Sequence, residues 1–206
     1  MAPPPAHLES EPTRRVGLSF LVLTVAFLFI SPRFTVGEER VEEKDTNEDG
    51  KPDEWLFYTD GVPVRMERDA DADGRRELVI FLEILLQEGK PVLKEGKPVP
   101  RPIRAEMDRN GDGKPDFVRV MESGIPVRDK GDYNFDGKWD IWSYYKDGFK
   151  DFMIMDKNYD GKPDAWFYYV LAQMRLNGGR VDTDFDGTVD RTFGEVPQQE
   201  DRQPWE

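Results

Sequence analysis

The sequence predicts an all-β fold in which antiparallel β-hairpins repeat along the chain and join into one continuous meander sheet. Three observations support this prediction. An acidic motif recurs with a 24-residue period, strand-like aromatic stretches follow it, and a turn dipeptide ending in glycine follows most of those stretches. A single two-stranded hairpin is marginally stable in water, so neighbouring hairpins have to stack to bury their apolar side chains.

The acidic motif occurs six times. Successive copies begin 24, 39, 24, 24 and 26 residues apart, so a period of 24 is interrupted by insertions of 15 and 2 residues. We number the motif from its first Asp and call the copies loops 1 to 6. They read DTNEDGKPDEW from Asp45, DADADGRRELV from Asp69, DRNGDGKPDFV from Asp108, DYNFDGKWDIW from Asp132, DKNYDGKPDAW from Asp156 and DTDFDGTVDRT from Asp182.

The segment after each loop has the composition of a strand. EWLFYT, DFVRVME, DIWSYYK and DAWFYYV are rich in aromatic and β-branched residues. A dipeptide that tolerates positive φ comes next, as hairpin turns require. A return stretch such as VPVRMER then leads into the following loop. The predicted turns are Asp60-Gly61, Ser123-Gly124, Asp147-Gly148 and Asn177-Gly178.

The strands also predict a buried stripe. Residues two apart share one face of a sheet, so motif positions 11 and 13 should line one side. Position 11 is mostly Trp or Val, and position 13 is mostly aromatic, as in Trp142 and Tyr144. We interpret the stripe as core. An aromatic platform for a glycan or peptide is the alternative, favoured if Trp142, Tyr145 and Tyr169 were exposed in one groove.

Three regions depart from the repeat. Residues 1–37 read as a signal peptide or an N-terminal membrane segment. Residues 38–194 form the repeat domain, with a Gly-, Lys- and Pro-rich insertion within about 83–107 that predicts an extended hairpin or loop. Residues 195–206 lack periodicity and predict a disordered tail.

The N-terminal segment predicts export. Arg14 and Arg15 precede a mostly apolar run from Val16 to Ile30, followed by Ser31 and Pro32. Fifteen helical residues span roughly 22 Å, which is short of the roughly 30 Å hydrocarbon core. The segment therefore favours a signal peptide cleaved near Gly37 over an anchor. The mature protein would be periplasmic, cell-surface or secreted, and would touch a membrane only if the segment stayed uncleaved.

Composition excludes several classes of function. The net charge of −13 and a pI near 4.7 argue against a nucleic-acid groove and favour cations as partners. The chain has no cysteine, which excludes disulfides, thiolate metal sites and a cysteine nucleophile. The only histidine, His7, precedes the apolar run, so the remainder offers no histidine base. We therefore expect no enzymatic activity; a carboxylate-only hydrolase is the remaining, weaker alternative.

The loops carry the chemistry that points to a function. In D-x-[DN]-x-D-G-x-x-[DE], positions 1, 3, 5 and 9 offer side-chain oxygens, position 6 is Gly and position 7 offers a backbone carbonyl. A turn alone needs only Asp or Asn and Gly, so six copies that also keep an acid at position 9 favour metal binding over turn chemistry. The candidate metal residues are Asp45, Asn47, Asp49, Lys51, Asp53, Asp69, Asp71, Asp73, Arg75, Glu77, Asp108, Asn110, Asp112, Lys114, Asp116, Asp132, Asn134, Asp136, Lys138, Asp140, Asp156, Asn158, Asp160, Lys162, Asp164, Asp182, Asp184, Asp186, Thr188 and Asp190.

Calcium is the ion that this ligand set predicts. Ca²⁺ takes six to eight hard oxygens in a flexible shell, whereas Mg²⁺ demands a near-octahedral one and keeps its waters. Without cations, the carboxylates of one loop would repel each other and open it. We therefore expect calcium to be a folding partner.

At these residues the sequence resembles known calcium loops. The nine-residue core is similar to an EF-hand loop and, more closely, to the loops of thrombospondin type 3 repeats. The 24-residue unit resembles repeats of exported bacterial envelope proteins. These resemblances imply calcium binding across residues 45–190 and no enzymatic activity. The loops also depart from the EF-hand pattern. None has the acid of an EF-hand at position 12, where Leu56 stands in loop 1. Affinity in the roughly 10⁻⁴–10⁻³ M range follows, unless a strand residue such as Asp129 or Asp151 supplies the ligand.

The sequence thus predicts an exported, calcium-binding β-repeat protein with a structural or interaction role at the cell envelope or outside the cell. A protein or glycan partner at the envelope is compatible with it. The alternative is a glycan- or peptide-binding module that uses an aromatic face of the sheet.

Overall fold

The structure, a computed structural model, describes residues 38–170, 175–197 and 202–206. The proposed signal peptide, residues 1–37, lies outside them. The described residues form strands, turns and irregular segments without a helix. No helix in these ranges is therefore long and apolar enough to cross a membrane.

Twelve strands form one antiparallel sheet, which confirms the predicted all-β meander. The strands of the described residues are β1 (Glu39–Lys44), β2 (Glu54–Thr59), β3 (Val62–Arg68), β4 (Leu78–Ile84), β5 (Leu86–Gln87), β6 (Lys90–Pro91), β7 (Leu93–Lys94), β8 (Lys97–Pro98), β9 (Pro100–Met107), β10 (Phe117–Glu122), β11 (Ile125–Gly131), β12 (Ile141–Lys146), β13 (Phe149–Met155), β14 (Ala165–Val170), β15 (Arg175–Val181) and β16 (Arg191–Gly194). Each strand of the sheet is hydrogen-bonded to the next, in the order β1-β2-β3-β4-β9-β10-β11-β12-β13-β14-β15-β16. β5 pairs with β6 and β7 with β8 in two small hairpins between β4 and β9.

Three of the four predicted turns connect the strands as expected. In Asp60-Gly61, Ser123-Gly124 and Asp147-Gly148 both residues have positive φ, from 51° at Asp147 to 79° at Gly148. Two consecutive positive φ values are the signature of the two-residue type I′ turn, whose twist matches that of the strands.

The fourth predicted turn is wrong, because Asn177 and Gly178 lie inside β15. The register between β14 and β15 shifts after Tyr168, and this bulge leaves Asn177 as the extra residue. Gly178 serves close packing instead: a Cβ there would stand 2.6 Å from the carbonyl oxygen of Phe193. The glycine is therefore needed at this position because two backbones approach each other closely, and not because the chain turns there.

The insertion consists of two small hairpins whose bases are joined by backbone hydrogen bonds. Three residues spaced seven apart close a ring of backbone hydrogen bonds: the N–H of Leu85 donates to Val99, that of Val92 to Leu85 and that of Val99 to Val92, at 2.8 to 2.9 Å. The hairpins β5-β6 and β7-β8 project from this ring. Both come from a near-repeat in the sequence, LQEGKPV followed by LKEGKPV, each with a turn at Glu-Gly.

The core lies on one face of the C-terminal half of the sheet. Trp142, Phe152 and Ile154 are buried there, and the Phe152 ring contacts Tyr168 at 4.9 Å between centroids. Tyr144 and Trp166 pack against the same cluster, so the predicted stripe of positions 11 and 13 is the core in this half. We call this side the core face.

Residues 202–206, at the end of the chain, lie on the core face. Disorder across residues 195–206 as a whole stays a prediction. Trp205 packs against the core cluster, and its indole N–H donates to the backbone oxygen of Asp129 at 3.2 Å. The buried ammonium of Lys130 lies 4.6 Å from the ring centroids of both Trp205 and Trp139. Arg202 adds a hydrogen bond to Asp151 at 2.8 Å. Cation–π contacts thus hold the terminal residues on the sheet.

Candidate metal centres

All six acidic loops lie along one end of the sheet. Each connects a return strand to the first strand of the next hairpin, whereas the two-residue turns and the insertion lie at the opposite end. Consecutive loops are therefore two strands apart, about 9.5 Å at the usual strand spacing. We call this arrangement the loop row.

Backbone hydrogen bonds join each loop to the next one. The N–H of position 1 donates to the carbonyl oxygen of position 9 in the preceding loop, for example from Asp132 to Asp116 at 2.8 Å and from Asp156 to Asp140 at 2.8 Å. The bond recurs at all five junctions between consecutive loops, at 2.8 to 3.0 Å. The loop row is therefore a continuation of the sheet, with each loop held by its neighbours.

Every loop has the same backbone fold. Position 4 is left-handed in all six, with φ between 61° and 74°, and the position 6 glycine has φ between 85° and 94°. Bulky residues occupy position 4 in three loops, at Phe135, Tyr159 and Phe185. A non-glycine residue rarely adopts this conformation, so its recurrence indicates that the loop's hydrogen bonds impose it. The motif predicts the glycine at position 6 but gives no sign of the left-handed residue at position 4.

The position 1 carboxylate organises the loop from inside. In loop 4, Asp132 accepts the N–H of Phe135 at 2.7 Å with Oδ1 and that of Gly137 at 2.8 Å with Oδ2. Loops 3, 5 and 6 repeat both bonds, at 2.7 to 2.8 Å. In loops 1 and 2 the first bond comes from position 5 at 3.2 Å. Two bonds per carboxylate leave further acceptor sites on both oxygens.

The position 9 carboxylate closes the loop from the other side. Asp140 accepts the N–H groups of Tyr133 at 2.7 Å and Asn134 at 3.2 Å, both with Oδ2. In loops 1 and 6 the hydroxyl groups of Thr46 and Thr183 also donate to position 9. At positions 1 and 9 together, eight of the twelve carboxylates are buried: Asp53, Asp69, Asp116, Asp132, Asp140, Asp156, Asp164 and Asp182.

Positions 3, 5 and 7 shape the outer part of the loop. In loop 4 the amide oxygen of Asn134 accepts the N–H of Asp136 at 3.0 Å, and Asp136 accepts the N–H of Lys138 at 2.9 Å. The position 7 residues thus enter the loop through their N–H groups, while the predicted role of their carbonyls as ligands stays a prediction. In loop 4 the position 5 carboxylate, Asp136, accepts the N–H of Lys138 with Oδ1 and not with Oδ2.

Three loops bring acidic oxygens close enough for a shared ion. Within each of these groups one oxygen per residue lies within 4.8 Å of the others: Asp69, Asp71, Asp73 and Glu77 in loop 2, Asp132, Asp136 and Asp140 in loop 4, and Asp182, Asp184 and Asp190 in loop 6. These clusters could hold a metal ion. The remaining loops, from Asp45, Asp108 and Asp156, share the hydrogen-bond frame without such a carboxylate group among the described residues.

The electrostatics of the loops differ with their partners. Burial raises the pKa of Asp140 first of all; hydrogen bonds from Tyr133 and Asn134 oppose the shift, and the carboxylates of Asp132 and Asp136 add to it. In loops 1 and 6 the threonine hydroxyl bonds lower the pKa of Asp53 and Asp190 instead. Position 9 therefore carries a crowded negative charge in loop 4 and one stabilised by a threonine hydroxyl in loops 1 and 6.

Loop 2 carries a cation of its own. The Arg75 guanidinium donates from Nε to Asp73 Oδ2 at 2.8 Å and forms a second bond from Nη2 to the same oxygen. Its Nη1 reaches the carbonyl oxygen of Gly111 in loop 3 at 3.4 Å. The buried Oε1 of Glu77 has no hydrogen-bond partner in this part of the structure. Loop 2 thus combines four acids, one internal counter-charge and one unsatisfied oxygen.

Neither strand residue considered as an additional ligand reaches a loop. Asp129 is buried on the sheet face opposite the core, where Arg119 binds it through two hydrogen bonds of 2.8 Å and the Tyr145 hydroxyl donates to it at 2.6 Å. Asp151 is bonded to Arg202. These carboxylates stabilise the sheet and the chain terminus.

The aromatic groove considered as an alternative binding site does not form. Trp142 is buried in the core, only 7% exposed, whereas Tyr145 belongs to the opposite face with Asp129. Burial first, and then the hydrogen bond to Asp129, raise the pKa of Tyr145. The three aromatic residues whose exposure in one groove would favour a glycan- or peptide-binding module are therefore divided between two faces.

A scan against protein-family models gives no match, and a search of curated proteins gives none either. The case for a function therefore rests on the geometry of the loops.

Proposed function

We propose that this protein is an exported calcium-binding β-repeat protein, whose bound ions stabilise a long sheet that acts as a structural or interaction element at the cell envelope or outside the cell. One observation carries the proposal. The same loop recurs six times with a buried or half-buried carboxylate at position 1, and three copies bring acidic oxygens within 4.8 Å of each other. A turn that served only to connect strands would not need carboxylates held together against their repulsion.

Calcium fits the donor set better than other common ions. Each loop offers carboxylate and backbone oxygens, four of the six add an amide oxygen from Asn at position 3, and none has a histidine or a sulfur ligand, which favours a hard cation. Positions 1 and 9 would hold the ion from inside the loop, and positions 3 and 5 from its outer rim. The bound ion supplies positive charge that offsets the repulsion between these residues.

Export supports the choice of calcium. Arg14 and Arg15 followed by the apolar run Val16–Ile30 are typical of a signal peptide. Extracellular calcium modules work with dissociation constants of roughly 10⁻⁴–10⁻³ M, which loops without an acid at position 12 can reach. We infer a non-enzymatic role, because the loops use most of the clustered acids and residues 38–206 contain no histidine or cysteine.

Thermal unfolding in calcium, in magnesium and in EDTA tests the proposal. We expect calcium to raise the melting temperature strongly, magnesium to raise it less, and EDTA to reverse the effect, because ions that bind only the folded state stabilise it. Identical melting curves in calcium and EDTA, followed by far-UV circular dichroism, would sink the proposal. Sodium chloride at matched ionic strength controls for general screening.

A further inference from the structure

The two edges of the sheet are complementary halves of one repeat. Every internal hairpin consists of the strand that follows a loop and the return strand that precedes the next loop, as in β2-β3 or β12-β13. β16 is a strand of the first kind, directly after loop 6, and no return strand lies beside it among residues 38–170, 175–197 and 202–206. β1 is a return strand, directly before loop 1, and within the same described ranges it has no partner of the first kind on its outer side.

The backbone groups needed to complete this repeat face outward. Glu38 accepts a hydrogen bond from Asp60 on the β2 side, and successive residues of a strand alternate in direction, so the N–H and C=O of Val41 and Glu43 point away from β2. On β16, the N–H of Glu195 donates to Asn177 on the β15 side, so Thr192 and Gly194 point away from β15 by the same alternation.

We propose that copies of this chain associate head to tail, with β16 of one copy pairing antiparallel with β1 of the next. The internal hairpins fix the register: position 11 pairs with the second residue before the next loop, as Trp55 pairs with Glu67 and Trp142 with Ile154. By this rule Thr192 faces Glu43 of the second copy, and Gly194 faces its Val41. The joint continues both the sheet and the 24-residue repeat.

The loop row would also continue across the joint. At the five internal junctions the N–H of position 1 donates to the carbonyl oxygen of position 9 in the preceding loop. The corresponding bond at the joint runs from Asp45 of the second copy to Asp190. Loop 6 and the second copy's loop 1 then lie about 9.5 Å apart, as any two neighbouring loops do.

The exposure of both strands and the unfinished repeat favour a second copy as the occupant of these edges. All six residues of β1 are exposed, and so are three of the four in β16. In the proposed register Arg191 lies opposite Lys44 of the second copy and diagonal to its Glu42, so the like-charge pair offsets the favourable one and the backbone hydrogen bonds supply the attraction. The described part of the tail does not cover β16, because residues 202–206 lie on the core face. The arrangement is heterologous, so it extends into filaments when it does not close.

Two proline variants test the joint. Val41→Pro removes an outward N–H from β1, and Thr192→Pro removes one from β16; neither removes a hydrogen bond within the chain, and proline is tolerated at such edge positions. Val41→Thr and Thr192→Val keep the N–H groups and serve as matched controls. The assay is sedimentation velocity of the purified protein from about 5 to 500 µM, because an interface of one strand pair is small and we expect weak association.

We expect the unmodified protein and both controls to form concentration-dependent oligomers, and each proline variant alone to remain a monomer. Mixing the two proline variants should restore a dimer and nothing larger, because each supplies the edge that the other has lost. A dimer in the mixture also shows that both variants are folded. Monomers at every concentration for the unmodified protein, in calcium and in EDTA, would overturn the proposal, and so would proline variants that assemble as the controls do.

Discussion

Replacing Asp140 by Asn should be less favourable to stability in calcium than in EDTA. Asp140 is 2% exposed, and its carboxylate holds two N–H groups while lying within 4.8 Å of the carboxylate oxygens of Asp132 and Asp136. Asparagine has the same shape and keeps one acceptor oxygen, but it lacks the charge. The substitution therefore distinguishes two roles of the Asp140 charge: repulsion of the neighbouring carboxylates and binding of an ion.

The magnitudes follow from these distances. Two like charges at 4.8 Å repel by about 3.5 kcal/mol at an effective dielectric constant of 20 and by about 0.9 kcal/mol at 80, so losing two such pairs gains roughly 2–7 kcal/mol. Weakening two charge-assisted hydrogen bonds costs about 2–3 kcal/mol. In EDTA the variant should thus be as stable as the parent or more stable. In calcium at 100 times the dissociation constant, a lost site removes about 2.7 kcal/mol of stabilisation.

Urea unfolding followed by tryptophan fluorescence measures both quantities. Asp147→Asn is the matched control, because it removes the same charge from a two-residue turn of the same repeat and Asn-Gly suits that turn equally well. The control should show the same small change with and without calcium. If Asp140→Asn also shifted the free energy of unfolding equally in calcium and in EDTA, loop 4 would not be an ion site and the reasoning would fail.

Three further substitutions test the scaffold by urea unfolding. Phe152→Ala empties a core position between the rings of Tyr144 and Tyr168 and should cost about 3–5 kcal/mol; a cost below about 1 kcal/mol would contradict the placement of the core. Arg119→Met strands the buried Asp129 carboxylate and should cost about 2–3 kcal/mol, discounted because Arg119 is partly exposed, and adding Asp129→Asn should recover much of that loss. Gly161→Ala should cost about 1–2 kcal/mol through backbone strain alone, since nothing lies within 4 Å of the added Cβ; an unchanged free energy of unfolding would mean that φ at this position is not fixed at 91°.

Much of the fold could be predicted because it depends on local, repeated chemistry. Asp-Gly and Ser-Gly admit two consecutive positive φ values, which places the turns at Gly61, Gly124 and Gly148. The period-2 alternation places Trp142 and Tyr144 on one face, and the structure buries that face. The candidate loop ligands can be predicted from the same repetition, because a single numbering of the motif gives the equivalent positions in all six copies.

The features that were missed depend on contacts that composition does not encode. Asn177 and Gly178 have the composition of a turn but lie inside β15, where the close approach of β16 and the residue after it makes the glycine necessary. Trp205 sits in an aperiodic segment, yet two basic side chains on β11, Arg128 and Lys130, receive its ring. Left-handed φ at Phe135 contradicts local propensity and arises from the bonds to Asp132.

Isothermal titration of the purified protein with calcium measures whether the loops bind ions and how many. We expect heat of binding with a stoichiometry approaching six ions per chain, one for each loop, and one fewer in Asp140→Asn. The three loops whose acidic oxygens lie within 4.8 Å of each other should fill at the lowest calcium concentrations. A titration without heat at any of several temperatures, together with no calcium retained after equilibrium dialysis, would contradict the account.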